Sequence, residues 1–138
     1  MKVFISHAQS DRGFARRLAG KLEGAGHQVW ADWNVLPGDN WASLAGGAIG
    51  KADALIALVS PDALRSDFVK REWEYALGQE RFRDSLIPVQ LKHTPAKPWI
   101  FDRLHPVSGT TPEAVGRAVL ARLGARPNPV RARVRASS

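Results

Sequence analysis

Asp53-Ala54-Leu55-Ile56-Ala57-Leu58-Val59-Ser60 holds six apolar residues in succession, with no polar alternation. A strand with one wet face alternates. A continuous apolar run marks a strand covered on both faces, as in a parallel sheet packed between helices. Upstream, Lys2 to Ser6 reads as a short strand. Ser10 or Asp11 can cap a helix whose apolar face is Phe14, Leu18 and Leu22, with Ala15 and Ala19 beside them. Gly24 and Gly26 end that helix, and His27 to Ala31 reads as a second strand. Asp32 to Asn40 is a loop, and a short helix is expected from Trp41 to Gly50, weakened by Gly46 and Gly47.

Downstream, Pro61 opens a turn and a helix follows from Ser66 to about Glu80. Ser85 to Lys92 is a fourth strand, where Pro88 suggests a bulge or a sheet edge. Thr94 to Asp102 is a long loop, and Leu104 to Val107 is a short fifth strand. Thr110 or Thr111 caps a last helix with Pro112 and Glu113 in its first turn and Val115, Ala118, Val119 and Leu123 as its stripe. Strand and helix alternate with connections too long for hairpins. The expectation is an α/β domain with a parallel sheet and helices on both faces. In such sheets ligands bind beyond the carboxyl ends of the strands, where the strand order reverses.

Composition sets further bounds. A chain of 138 residues, 44% apolar and 24% charged, fits one globular domain. No apolar run reaches the roughly 20 residues of a membrane span. Met1-Lys2-Val3-Phe4-Ile5-Ser6 enters a strand at once, so no signal peptide is expected, and a cytoplasmic location is. With no cysteine, thiolate metal sites and cysteine nucleophiles are excluded. His27, His93 and His105 are scattered, and no metal site is expected. Gly46-Gly47 lacks the strand–turn context of a phosphate loop. Of the net charge of +7, four units come from Arg126, Arg131, Arg133 and Arg135. The domain is therefore expected over residues 1–124, and residues 125–138 as a basic, Pro/Arg-rich arm or linker end. No aromatic residue interleaves those arginines, so nucleic-acid binding is not expected.

One acid is out of pattern. In the helix from Ser66, Glu72 falls four residues after Phe68 and three and four before Tyr75 and Ala76, within a possible apolar stripe. A buried carboxylate is costly unless it has work to do. Its neighbour Glu74 pairs at i,i+4 spacing with Lys70 as an ordinary surface acid. The bland alternative is a stripe of Val69, Trp73, Ala76 and Leu77, with Glu72 at the surface. Ser6 has no His or Asp spaced to activate it, so a hydrolytic triad is unsupported.

These motifs together resemble the Toll/interleukin-1 receptor (TIR) domain family. Phe4-Ile5-Ser6-His7-Ala8-Gln9-Ser10-Asp11 is similar to the family's opening. Val29-Trp30-Ala31-Asp32, then Leu36-Pro37-Gly38 and Trp41, is similar to the second strand and BB loop of bacterial members. Ser66 to Trp73 resembles the segment that carries the acid of NAD-cleaving members, with Phe68 for the commoner Trp and Val69 for the Cys often found next. The resemblance implies a flavodoxin-like fold with a five-stranded parallel sheet in the order 2-1-3-4-5. It implies hydrolysis of NAD+, as substrate and with no cofactor, to nicotinamide and linear or cyclic ADP-ribose in bacterial immune or effector signalling.

By position the resemblance makes Glu72 the catalytic acid, with Ser6, His7 and Asp32 lining the pocket and Phe68 in the aromatic position before the acid. Trp41 matches a base-stacking ring, although its bland reading is a core anchor. Trp33 and Trp41 offer flat surfaces for nicotinamide or adenine. Lys70 or Arg71 is a candidate for the pyrophosphate. Leu36, Pro37, Gly38 and Asp39 form the loop through which family members associate. The implied partners are other TIR domains and a sensor or oligomerisation domain, or a separate activating chain. Two other readings remain: a non-enzymatic adaptor acting through that loop, and an enzyme similar to the nucleoside 2-deoxyribosyltransferases.

Overall fold

The computed structural model describes residues 1–35, 38–82 and 84–124. The expected basic arm lies outside them. Five parallel strands form one sheet in the order β2-β1-β3-β4-β5. They are β1 (Lys2–Ser6), β2 (Gln28–Trp30), β3 (Ala54–Val59), β4 (Leu86–Gln90) and β5 (Val107–Ser108). The helices are α1 (Arg12–Gly24), α2 (Trp41–Lys51), α3 (Pro61–Leu64), α4 (Asp67–Leu77) and α5 (Pro112–Gly124). This is the flavodoxin-like arrangement expected from the sequence.

The apolar run of β3 explains itself in three dimensions. Every residue of β3 is buried. Ala54, Ile56 and Leu58 point into one core with Leu18, Leu22, Val115 and Val119 of α1 and α5. Leu55, Ala57 and Val59 point into the other with Ala45, Ile49, Val69 and Trp73 of α2 and α4. Alternate residues feed opposite layers, so neither set can be polar.

Several expectations are corrected. β4 is not an edge strand, and it carries Pro88 opposite Ala57 without a break. The Ser85 carbonyl accepts from Leu55 N–H and Leu91 N–H donates to the Val59 carbonyl, so the odd-numbered residues of β4 bond to β3. Pro88 therefore turns its missing donor toward β5, which begins only opposite Val89. The fifth strand is Val107–Ser108 and not Leu104 to Val107, because a 3₁₀ turn over Trp99–Leu104 takes up the preceding residues. Pro61 begins the short helix α3, capped by Ser60 Oγ accepting from Ala63 N–H. α4 stops at Leu77, and a separate turn spans Glu80–Phe82.

Local caps explain the other helices. Asn40 caps α2 by accepting from Ser43 N–H, which with Ala45 and Ile49 on the core outweighs Gly46 and Gly47. Thr111 caps α5 through Ala114 N–H, as expected. Neither Ser10 nor Asp11 caps α1. Asp11 stands at the N-cap position but accepts from Ser60 Oγ instead, at 2.6 Å. That bond ties the loop after β1 to the end of β3.

Ile56 stands at the centre of the sheet with no exposed surface. Ile56→Ala is expected to cost about 2–5 kcal/mol, because packed helices on both sides limit collapse of the void. A fall in the urea midpoint at unchanged m-value checks it.

Candidate functional site

A cleft of about 420 Å³ opens beyond the carboxyl ends of β1 and β2. It sits where the chain turns from β2 on one side of β1 to β3 on the other, the reversal point of the sheet. β1 delivers Ser6 and His7, the segment after β2 delivers Asp32, and α4 delivers Phe68 and Glu72. Ser6 lies beneath the cleft, and the other four line it.

Glu72 is 5% exposed. Ser6 Oγ, wholly buried at the end of β1, donates to its Oε1 at 2.7 Å. Burial pushes the carboxyl up to about 8, against the opposing pull of the Ser6 bond, and the nearby negative charge of Asp32 raises it further. A carboxyl poised near neutrality in a cleft is a recurrent mark of functional sites.

Asp32 behaves oppositely. Burial works to raise it, but His7 and Arg12 outweigh burial and hold it below the usual carboxylate range. Arg12 Nη2 donates to Asp32 Oδ2 at 3.1 Å. His7 Nε2 lies 3.2 Å from Asp32 Oδ1, at ion-pair distance but without an aligned hydrogen bond. The other ring nitrogen, His7 Nδ1, faces the Ile5 carbonyl at 3.4 Å. Two carboxyls with separated ionisation thus share one cleft, the pattern from which acid and base roles are assigned.

The remaining candidates are sorted by position. Phe68 lies one turn before Glu72 at the cleft mouth, 54% exposed. Trp33 is not on the cleft wall. Its ring backs His7 at 5.4 Å between centroids and carries Arg16 on it at 5.0 Å, so it braces the histidine. Trp41 begins α2, but its side chain lies outside the described residues, as do Leu36 and Pro37. Of the expected association loop, Gly38 and Asp39 are described and exposed, and Gly38 has φ 91°, which favours glycine.

The apolar stripe of α4 is Val69, Trp73 and Ala76, with Tyr75 and Leu77 exposed. Glu72 is buried next to that stripe, because the end of β1 reaches it. Lys70 and Arg71 are exposed and do not line the cleft. The residue missed is Arg12, which lines it. Its signal was its place in the first turn after β1, on the rim already assigned to ligands. Among the described residues no group of His, Asp and Glu is placed to hold a metal ion, and no helix is long and apolar enough to cross a membrane.

An α/β domain with a carboxyl cleft at its reversal point is what the fold and site define. The family model described as TIR domain matches residues 3–121. The chain belongs to the TIR domain family. No curated protein matches it. Among solved structures, the TIR domain of a Toll-related receptor from Hydra magnipapillata is similar, with a TM-score of 0.67, 22% identity, and 77% of this chain and 82% of that one covered. A metazoan TIR-STING receptor from C. gigas gives a TM-score of 0.70 at 22% identity, over 91% of this chain and 40% of that chain. The CMP N-glycosidase BcmB of Clostridium botulinum gives 0.62 at 18% identity, over 86% and 97%. At these identities the likeness is one of fold.

The Glu72 carboxyl sets a pH dependence of stability. Its folded value lies above its unfolded value of 4.5, so the native state holds an extra proton between that value and about 8. Stability from this group is therefore full below 4.5 and is lost as pH rises through 8. Glu72→Gln is expected to raise Tm by about 10 °C at pH 8 and by little at pH 4. Calorimetry of both proteins across that range checks it; a gap that does not widen with pH refutes it.

Proposed function

We propose that this domain cleaves the bond between nicotinamide and ribose in NAD+, giving nicotinamide and ADP-ribose or a cyclic isomer. The observation that carries the reading is Glu72, a sequestered carboxyl held by Ser6 at the reversal-point cleft. The C1′–N bond breaks with its electron pair passing to the nicotinamide ring, which leaves neutral. No strong general acid is needed for such a leaving group. The sugar becomes oxocarbenium-like, and a carboxylate beside it stabilises the charge or orients the attacking oxygen. Attack of water at C1′ releases one proton and gives ADP-ribose. Attack by a nitrogen of the adenine base gives a cyclic product.

Ionised Glu72 is the working form in this scheme. Burial by the protein alone leaves it holding a proton near neutral pH. A cationic nicotinamide ring beside it favours the ionised state. Apolar neighbours such as Val69 limit water around it and strengthen its field. Phe68 places an aromatic ring at the cleft mouth. Asp32 keeps a permanent negative charge nearby, and Ser6, His7 and Asp32 serve as pocket residues.

The setting proposed is bacterial immune or effector signalling in the cytoplasm, with residues 1–124 as the TIR unit. Activity is proposed to depend on assembly with other TIR domains, under a sensor domain or separate activating chain, so that a neighbour's association loop closes over the cleft. The exposed Gly38-Asp39 segment supports a second reading, an adaptor that associates without catalysis. The BcmB likeness places a CMP N-glycosidase on the same fold, so CMP belongs in the substrate panel.

Purified full chain with NAD+ is expected to release nicotinamide, with specific activity rising as protein concentration rises. Glu72→Ala is expected to lower turnover by about 10³-fold or more, the scale of removing a principal charge-stabilising group. The acid limb of kcat/KM is expected near pH 8, and that of kcat lower, since the bound cation favours ionisation. Chromatographic product analysis over pH and concentration checks these outcomes. Absent nicotinamide release at every concentration sinks NAD+ cleavage, and turnover that survives Glu72→Ala removes Glu72 from its proposed role. Turnover of CMP alone moves the substrate.

A further inference from the structure

The reading above gives the sugar end of a ligand its partner and leaves one wall of the cleft unused. Arg12 is on that wall. Among the described residues that line the cleft it is the one permanently charged cation. Its side chain is 40% exposed, and three features fit it to an anion. Asp32 binds Nη2 alone, at 3.1 Å, and faces His7 with its other oxygen. One carboxylate divided between two partners fixes the guanidinium without saturating its five donors. Second, Arg12 Nε is screened from solvent and has no hydrogen-bond partner among the described residues. A donor in that position leaves a bond unmade until an acceptor arrives.

Third, Arg12 is the first residue of α1, whose N-cap position carries no side-chain cap because the Asp11 carboxylate takes the Ser60 hydroxyl. The Arg12 N–H itself donates to the Gln9 carbonyl, so what that end of the helix adds is the positive pole of its dipole.

We propose that Arg12 is the phosphate-binding residue of this cleft, and that the ligand is a nucleotide whose phosphate or pyrophosphate sits on Arg12 while its N-ribosyl end reaches Glu72. The proposal rests on the preceding reading for the sugar end; the phosphate end stands on the Arg12 geometry. It excludes simple nucleosides as preferred ligands. Planar, two-pronged contact suits phosphate oxygens, and an arginine already braced loses little freedom on binding. Lys70 and Arg71, the candidates named from the sequence, are exposed outside the cleft lining.

Binding by titration calorimetry separates this from the catalytic reading, because no turnover is required. The full chain is titrated with adenosine, AMP, ADP and inorganic pyrophosphate at one low ionic strength. Affinity is expected to rise by about tenfold or more from adenosine to ADP, the scale of charge-assisted bonds to phosphate. Arg12→Ala is expected to bring ADP down to the level of adenosine, and Arg12→Lys to retain part of the difference, with Tm confirming that both variants fold. Added salt is expected to narrow the gap. No preference for ADP in the parent protein, or a preference that survives Arg12→Ala, overturns the proposal. Pyrophosphate binding as tightly as ADP reduces the site to a plain anion site and overturns the nucleotide assignment. An Arg12-dependent preference in a protein that leaves NAD+ intact upholds the proposal and rejects NAD+ cleavage.

Discussion

The hydrogen bond from Ser6 to Glu72 joins the fold to the site. Ser6 is the last residue of β1, the strand flanked by β2 and β3, and Glu72 is in the middle of α4. Their 2.7 Å contact requires α4 to cross the end of β1 at one height and one rotation. Val69, Trp73 and Ala76 supply that rotation by filling the core under α2. Packing sets the helix, and the helix presents a carboxyl to the one strand end that can bind it. An unbonded carboxyl in this position would be far costlier, since a buried polar group without a partner forfeits its water and gains nothing.

Much of this was legible along the chain, for reasons that differ by element. β3 was legible because burial on both faces admits no polar residue, and its apolar run has no competing reading. α5 was legible because Thr111 and Pro112 mark its start and Val115, Val119 and Leu123 its stripe. Pro88 misled because its effect depends on which neighbour its missing N–H faces, and strand order is not a local property. β5 misled because apolar residues near Leu104 serve a 3₁₀ turn that packs Phe101 into the core beside Trp73, at 5.1 Å between rings.

The site shows the same division. Glu72 was detectable because a carboxyl disturbed a helical pattern, though the stripe drawn through Phe68 and Tyr75 was wrong in detail. Periodicity sees one helix at a time, whereas the reason Glu72 is buried comes from β1, some 66 residues away in sequence. Trp33 looked like a stacking surface because it is aromatic and near a strand end. Its ring is engaged by His7 and Arg16, and nothing in the sequence says which face of a ring is covered. Arg12 was hidden among Arg16, Arg17 and Lys21, where a charged residue on a helix reads as solvated surface. Its distinction is positional: it is the first residue of α1, at the rim.

Asp32 then connects the two ends of the cleft. It holds Arg12 by one oxygen, and its charge helps raise Glu72. On the proposed reading these are two sides of one arrangement. A phosphate arriving at Arg12 takes the donors that Asp32 leaves open, and a cationic leaving group arriving at Glu72 offsets the field that Asp32 imposes there. Each end of a dinucleotide would then meet a group that the protein's own residues leave incompletely paired or uncompensated. A nucleoside without phosphate meets only the sugar end, and a free phosphate meets only Arg12. The carboxylate between them gives the cleft a physical reason to favour a ligand that carries both groups.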